Sequence, residues 1–133
     1  MTIPIQDRVM IGELFGRYAH TIDDGDIAGW GDCFAADAEL HVFGKTVTGQ
    51  EALKAMAMRV FETNGGLLRH SMTNIIVDRI EADRADARAY GLVTDWKDSP
   101  TFSDFAVYKA ALQRADGQWR FRRLDIRLLN QKK

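Results

Sequence analysis

The run Arg69-His70-Ser71-Met72-Thr73-Asn74 divides the chain into two halves of different periodicity. Ahead of it, Leu53, Met56, Ala57, Val60 and Phe61 recur at i, i+3, i+4, i+7 and i+8, a helical stripe that ends at Gly65-Gly66. From the run onward the pattern predicts long strands over 67–80, 84–97, 104–114 and 118–129. Glu81-Ala82-Asp83 and Ala115-Asp116-Gly117-Gln118 read as hairpin turns, and Asp98-Ser99-Pro100-Thr101 as a looser connection. Helices followed by consecutive strands point to an α+β class rather than alternating βαβ units. Strands this long must twist and curl, so the expected shape is one curved sheet with helices on its concave side.

Working back towards the N-terminus, a first helix is expected over 4–22, with Pro4 at an early position where a missing N–H is harmless. Ile11, Leu14, Phe15, Tyr18 and Ile22 share one narrow arc, leaving Arg17 and His20 off it. Asp23-Asp24-Gly25-Asp26 breaks that helix, and Asp26 is expected to cap a short helix carrying Trp30 and Phe34. Residues 38–43 alternate like a strand, with Gly44-Lys45 as a tight turn into Thr46-Val47-Thr48. Thr48-Gly49-Gln50-Glu51 has the form of a capping box for the helix that follows.

At 133 residues the chain reads as one domain, large enough to bury a core without disulfides or metals. Eighteen basic residues against nineteen acidic ones argue against a nucleic-acid partner. The one basic cluster, Arg120, Arg122, Arg123, Arg127, Lys132 and Lys133, reads as the solvated or interface side of a strand. Cys33 is the only cysteine, so neither an internal disulfide nor zinc-finger spacing is possible. There is no leader-like start and no apolar run of membrane-spanning length, so a cytoplasmic location and no membrane partner are expected. No phosphate-cradling loop, nucleophile elbow or metal motif is present, and the chemistry considered below needs no cofactor and no metal.

Chemistry narrows to three histidines. His70 follows the acidic turn by 47 residues, and an imidazole oriented by a carboxylate can take a proton near neutral pH. Asp23 would hold the ring, with Asp26 spent on capping and Asp24 on the turn. On the residues alone, a buried histidine that merely satisfies a carboxylate is the stronger reading. His20 and Asp24 stand at i, i+4 without a third metal ligand, and His41 reads as a pocket-lining or surface residue. Tyr18 either orients a substrate oxygen or is core with a satisfied hydroxyl. Asn74, four residues along the strand from His70, should share its face. Trp30, Phe34, Phe43, Met56, Phe61 and Trp96 are candidate apolar walls for a small hydrophobic ligand, although residues of these types are more often core.

Taken together, several motifs resemble one known division. They are Arg17-Tyr18-Ala19 running into Ile22-Asp23 and Gly25-Asp26, Trp30-x-x-x-Phe34 with Asp37-Ala38-Glu39, and Gly49-x-Glu51-Ala52-Leu53. Arg69-His70 with Thr73-Asn74, and Asp116-Gly117-x-Trp119-Arg120-Phe121, complete the set. The pattern resembles the SnoaL-like division of the NTF2-like superfamily. The resemblance implies a cone-shaped α+β barrel, a strongly curved mixed sheet with about three helices enclosing a pocket. That superfamily hosts polyketide cyclases, scytalone dehydratase, a dehydrochlorinase, ketosteroid isomerase, dioxygenase small subunits and non-catalytic binding modules. The dehydratase and dehydrochlorinase branch implies that Asp23 orients His70 and that His70 removes a substrate proton. The second histidine of scytalone dehydratase has no counterpart, since the next strand offers Ala87, Ala89 and Tyr90. Asp78 and Asp95 are weak matches to the acid of ketosteroid isomerase. The expectation is a cofactor-independent lyase or isomerase acting on a small, hydrophobic, cyclic molecule. The alternative is a binding module or a dioxygenase small subunit. A homo-oligomer, dimer or trimer, is expected in either case.

Overall fold

The computed structural model describes residues 2–129, so Lys132 and Lys133 of the basic cluster lie outside the described residues. Helix α1 (Ile5–Asp24) and the short α2 (Ile27–Gly31) come first, then strands β1 (Phe34–Val42) and β2 (Lys45–Thr48). Helix α3 (Gln50–Thr63) precedes four long strands, β3 (Leu68–Glu81), β4 (Arg84–Asp95), β5 (Thr101–Ala115) and β6 (Gln118–Leu128). The six strands make one mixed sheet in the order β2-β1-β6-β5-β4-β3. Only the β1–β6 pairing is parallel. The α+β class and the helix-then-strand order agree with the sequence reading.

One expectation is corrected at this level: the sheet does not close into a barrel. Strands β2 and β3 are its free edges. This openness matters for the site, because an edge strand has one row of backbone groups without strand partners.

The inner face is built by alternation. Ala85, Ala87, Ala89 and Val93 of β4 point inwards and are buried, as are Ala106, Tyr108, Ala110 and Leu112 of β5. Against this face α1 lays Ile11, Leu14, Phe15, Tyr18 and Ile22, the stripe its spacing predicts. Small side chains on β4 leave room for large ones beside them. At Gly91 a Cβ would lie 2.5 Å from the ring of Tyr108, so the glycine is what lets that tyrosine lie across β4.

The only buried charged or polar residues among those described are Asp7 and Asp23, which sit near opposite ends of α1. Asp7 accepts from Trp119 Nε1 and from Arg114, both at 3.0 Å. Arg114 also lies over the Trp119 ring, 4.8 Å from its centroid. The helix is therefore pinned at its start to the β5–β6 hairpin, and its end is pinned elsewhere, as described below.

Several local expectations are corrected. Strand β1 begins at Phe34, so Phe34 belongs to the strand and not to the short helix. The turn after it is Phe43-Gly44, both at positive φ, rather than Gly44-Lys45. The capping box does not form. Thr48 stays in β2 opposite Glu39, Gly49 takes the N-cap place, and no side chain caps α3. Gln50 instead donates to the carbonyls of Gly31 and Phe34, which ties α3 to α2 and β1. The Asp26 cap does form, with its carboxylate accepting from Gly29 N at 2.9 Å.

Candidate functional site

Asp23 and His70 meet. One carboxylate oxygen of Asp23 lies 2.6 Å from His70 Nδ1, and the other accepts the backbone N–H of His70 at 2.8 Å. A carboxylate can only accept here, so Nδ1 carries the proton and Nε2 holds the lone pair. The geometry follows from the topology. β3 is an edge strand, and the His70 N–H faces away from β4, towards the end of α1. Asp23 covers that edge position and fixes the ring with one side chain. Both side chains are largely enclosed, at 10% exposure for His70 and 7% for Asp23. His70 Nε2 has no hydrogen-bond partner among the described residues.

Asp23 stands in the last turn of α1, where backbone carbonyls make the environment unfavourable to an anion. Two N–H donors offset this. Asp24 is exposed and Asp26 is spent on its cap, so the choice among the three acids is made by geometry.

Tyr18 packs edge-on to His70, with ring centroids 6.3 Å apart. It is the hub of an aromatic cluster with Trp30, Phe34, Phe121 and Tyr108 at 5.7–6.3 Å. The hydroxyls of Tyr18 and Tyr108 interact, and burial raises both groups, Tyr108 to about 12 and Tyr18 well above its ordinary value. Both phenols are thus neutral at any physiological pH. Tyr108 was missed by the sequence reading. Its signal was present, an inward position in β5 between Ala106 and Ala110, but nothing in the pattern separated it from core.

The other candidates divide. Trp30 and Phe34 are fully buried against one another, centroids 4.6 Å apart, and the Trp30 indole N–H has no partner. Phe61 borders a crevice beside His70, together with Asp23, Asn64 and Leu68. Met56 is half-buried on α3, packed against the core. Phe43 and Trp96 are corrected: they are 58% and 50% exposed, on the β1–β2 turn and beyond the end of β4, and wall no interior space. Asn74 is also corrected. It adopts φ 54 at a bulge where the β3–β4 register shifts, so the chain gains a residue and Asn74 faces solvent instead of sharing the face of His70. His41 bonds Thr46 and Glu39 on the surface side of β1, and His20 is exposed. Asp78 pairs with Arg88, and Asp95 accepts from Lys97 N.

The space next to the dyad is small, about 10 Å³, room for one water centre. A larger depression, about 550 Å³, lies between α1 and α2 over Arg17, Asp26 and Trp119, and contains neither His70 nor Asp23. At its floor the Cys33 thiol is buried and pushed up to about 11, which leaves it a protonated, unreactive packing group. Among the described residues no cluster of three or more His, Cys, Asp or Glu could hold a metal, and no helix is long and apolar enough to cross a membrane.

Comparison with known proteins fits this architecture. No curated protein matches the chain. An Asp-to-Asn variant of a Mycobacterium tuberculosis protein of unknown function is 26% identical, with a TM-score of 0.87 over 94% of this chain and 77% of that one. An NTF2-like protein with a cystatin-like fold from Novosphingobium aromaticivorans is 25% identical, with a TM-score of 0.84 over 96% of this chain and 85% of that one. A candidate scytalone dehydratase from the same organism shares the fold at 20% identity, with a TM-score of 0.78 over 93% of this chain and 85% of that one. The SnoaL-like domain family matches residues 4–125, nearly the whole chain, so the protein belongs to the SnoaL-like family and carries its NTF2-like, cystatin-like fold.

Proposed function

We propose that this chain is a cofactor-independent lyase or isomerase, of the dehydratase or cyclase kind, acting on a small hydrophobic cyclic substrate. The observation that carries the reading is the double clamp of Asp23 on His70, which fixes the ring tautomer and leaves Nε2 without a partner. Membership of the SnoaL-like family and the fold shared with a candidate scytalone dehydratase support the same class.

In the proposed step, the Nε2 lone pair takes a proton from a carbon next to a carbonyl. The electron pair left behind forms an enolate, or a double bond as a β-hydroxyl departs. Asp23 stabilises the imidazolium, and the proton returns to the departing oxygen or to a second carbon. Tyr18, edge-on to His70, and its neighbour Tyr108 are both held protonated by burial, so each keeps an O–H to offer a substrate oxygen.

The test is turnover of a panel of cyclic β-hydroxy ketones, followed by the absorbance of the conjugated product. His70→Ala and Asp23→Asn should each lower the rate by ~10²–10⁴-fold, the range general base catalysis spans. Full activity in either variant removes the mechanism.

A second reading is a non-catalytic module, for binding or for structural assembly with a larger oxygenase. The small space beside His70 favours it. It predicts no turnover by the native chain and stable co-purification with a larger subunit. In either case we propose that copies of the chain associate through the outer face of the sheet. There Tyr90 and Leu92 are exposed beside Phe105, with the charges of Arg88, Lys109 and Asp125 further along.

A further inference from the structure

We infer that Phe61 is the door of the His70 site, the side chain that must leave its place before a ligand reaches the dyad and whose size sets what passes. The inference rests on the reading of His70 as a working base and adds the route to it.

The space beside the ring admits one water centre, so any larger ligand requires part of the wall to move. Ile22 and Asp23 are buried in the end of α1, and Leu68 and His70 are held in the sheet. Phe61 is different. It is half-buried on the last turn of α3, a helix whose fully buried residues, Leu53 and Ala57, lie nearer its start.

The Phe61 ring lies in a slot between two glycines. A Cβ on Gly25 would come within 2.7 and 2.8 Å of two of its ring carbons, and one on Gly66 within 3.0 and 3.1 Å of the same two. A side chain at Gly25 would force the ring to shift, and one at Gly66 would require it to give by a few tenths of an ångström. The two glycines also flank the dyad in sequence, Gly25 two residues after Asp23 and Gly66 four before His70. The slot therefore fits the ring closely and borders the same crevice as the catalytic pair. Its natural replacement for the phenyl group is a planar aromatic or unsaturated ring of a ligand. Rotation of a partly exposed side chain is fast compared with turnover, so the door does not limit a substrate that fits.

The experiment reads access to His70 directly, on the whole chain and without substrate. Diethyl pyrocarbonate acylates unprotonated imidazole nitrogens, and peptide mass spectrometry gives the separate rates at His70, His20 and His41. In the native protein His70 should react slowly relative to exposed His20. Phe61→Ala should speed His70 by at least about tenfold, since the rate follows the open population, while the other two histidines keep their rates. Phe61→Trp should be no faster than native. If Phe61→Ala does not fold, Phe61→Leu carries the same test with a rise of at least about threefold. Leu112→Ala, a core change at 0% exposure outside the crevice, should not reproduce the effect.

An unchanged His70 rate in the Phe61 variants overturns the inference. So does a native His70 that reacts as fast as His20, or an equal rise in Leu112→Ala. Because no turnover is measured, the door can fail while the base mechanism stands, and the mechanism can fail while the door stands.

Discussion

At the scale of single residues, the account turns on which groups are fixed and which are left free. Asp23 spends both oxygens on His70, and burial keeps the Tyr18 and Tyr108 phenols protonated. His70 Nε2 is what remains for a ligand. Asp23→Asn puts an NH₂ where one His70 donor now bonds, and hydrogen bonds to a charged group are worth about 1.5–3 kcal/mol. The variant should therefore lose about that much stability yet stay folded, which urea unfolding measures. The tyrosine pair gives a pH signature. A phenol whose folded pKa is raised contributes stability that is complete below the unfolded value near 10 and is lost as pH climbs towards the folded value. For Tyr108 that window runs from about 10 to about 12. Stability should fall there by about 1.4 kcal/mol per pH unit for each such group. Tyr108→Phe should flatten the slope, and an unchanged slope would contradict the neutral pair. His70 and Asp23 were both legible as candidates from residue type and resemblance. Tyr108 was not, since an inward tyrosine on a strand looks the same whether it faces a ligand or another ring.

At the scale of elements, α1 is a strut about 24 Å long between two buried carboxylates, Asp7 and Asp23 sixteen residues apart at 1.5 Å each. Its far end fixes the near one. The Asp7 contacts to Arg114 and Trp119 hold the helix at the β5–β6 hairpin, which sets where its last turn meets β3. Asp7→Ala leaves the Trp119 N–H without its acceptor, while Arg114 keeps Asp83 and the Ala82 carbonyl. The cost should be about 1–3 kcal/mol by thermal or urea unfolding, as for a buried donor that loses its acceptor. A loss under 1 kcal/mol would show the strut to be dispensable. The hydrophobic periodicity revealed both α1 and the four long strands, because apolar faces must be buried wherever the chain goes. It could not reveal the bulge at Asn74. A period-two reading assumes an unbroken strand, and one residue at positive φ moves everything beyond it to the opposite face. The capping box failed for a related reason. Thr48 is held by pairing in β2, and that tertiary demand overrides a local cap motif.

At the scale of the whole molecule, the curved open sheet packs one face on the helices and leaves the other to solvent. Tyr90, Leu92 and Phe105 on that outer face are the reason to expect association. Light scattering after size exclusion should give a dimer or trimer, and Leu92→Glu should shift it towards the 15.0 kDa monomer. A native monomer at high micromolar concentration would rule the interface out.

The central claim is that His70 removes a carbon-bound proton. The most direct measurement is proton NMR in D₂O of the C–H signals next to the carbonyl in a panel of cyclic ketones. The account predicts faster loss of signal with native protein than with buffer, reduced to near background by His70→Ala. Equal exchange by native protein and His70→Ala would contradict it.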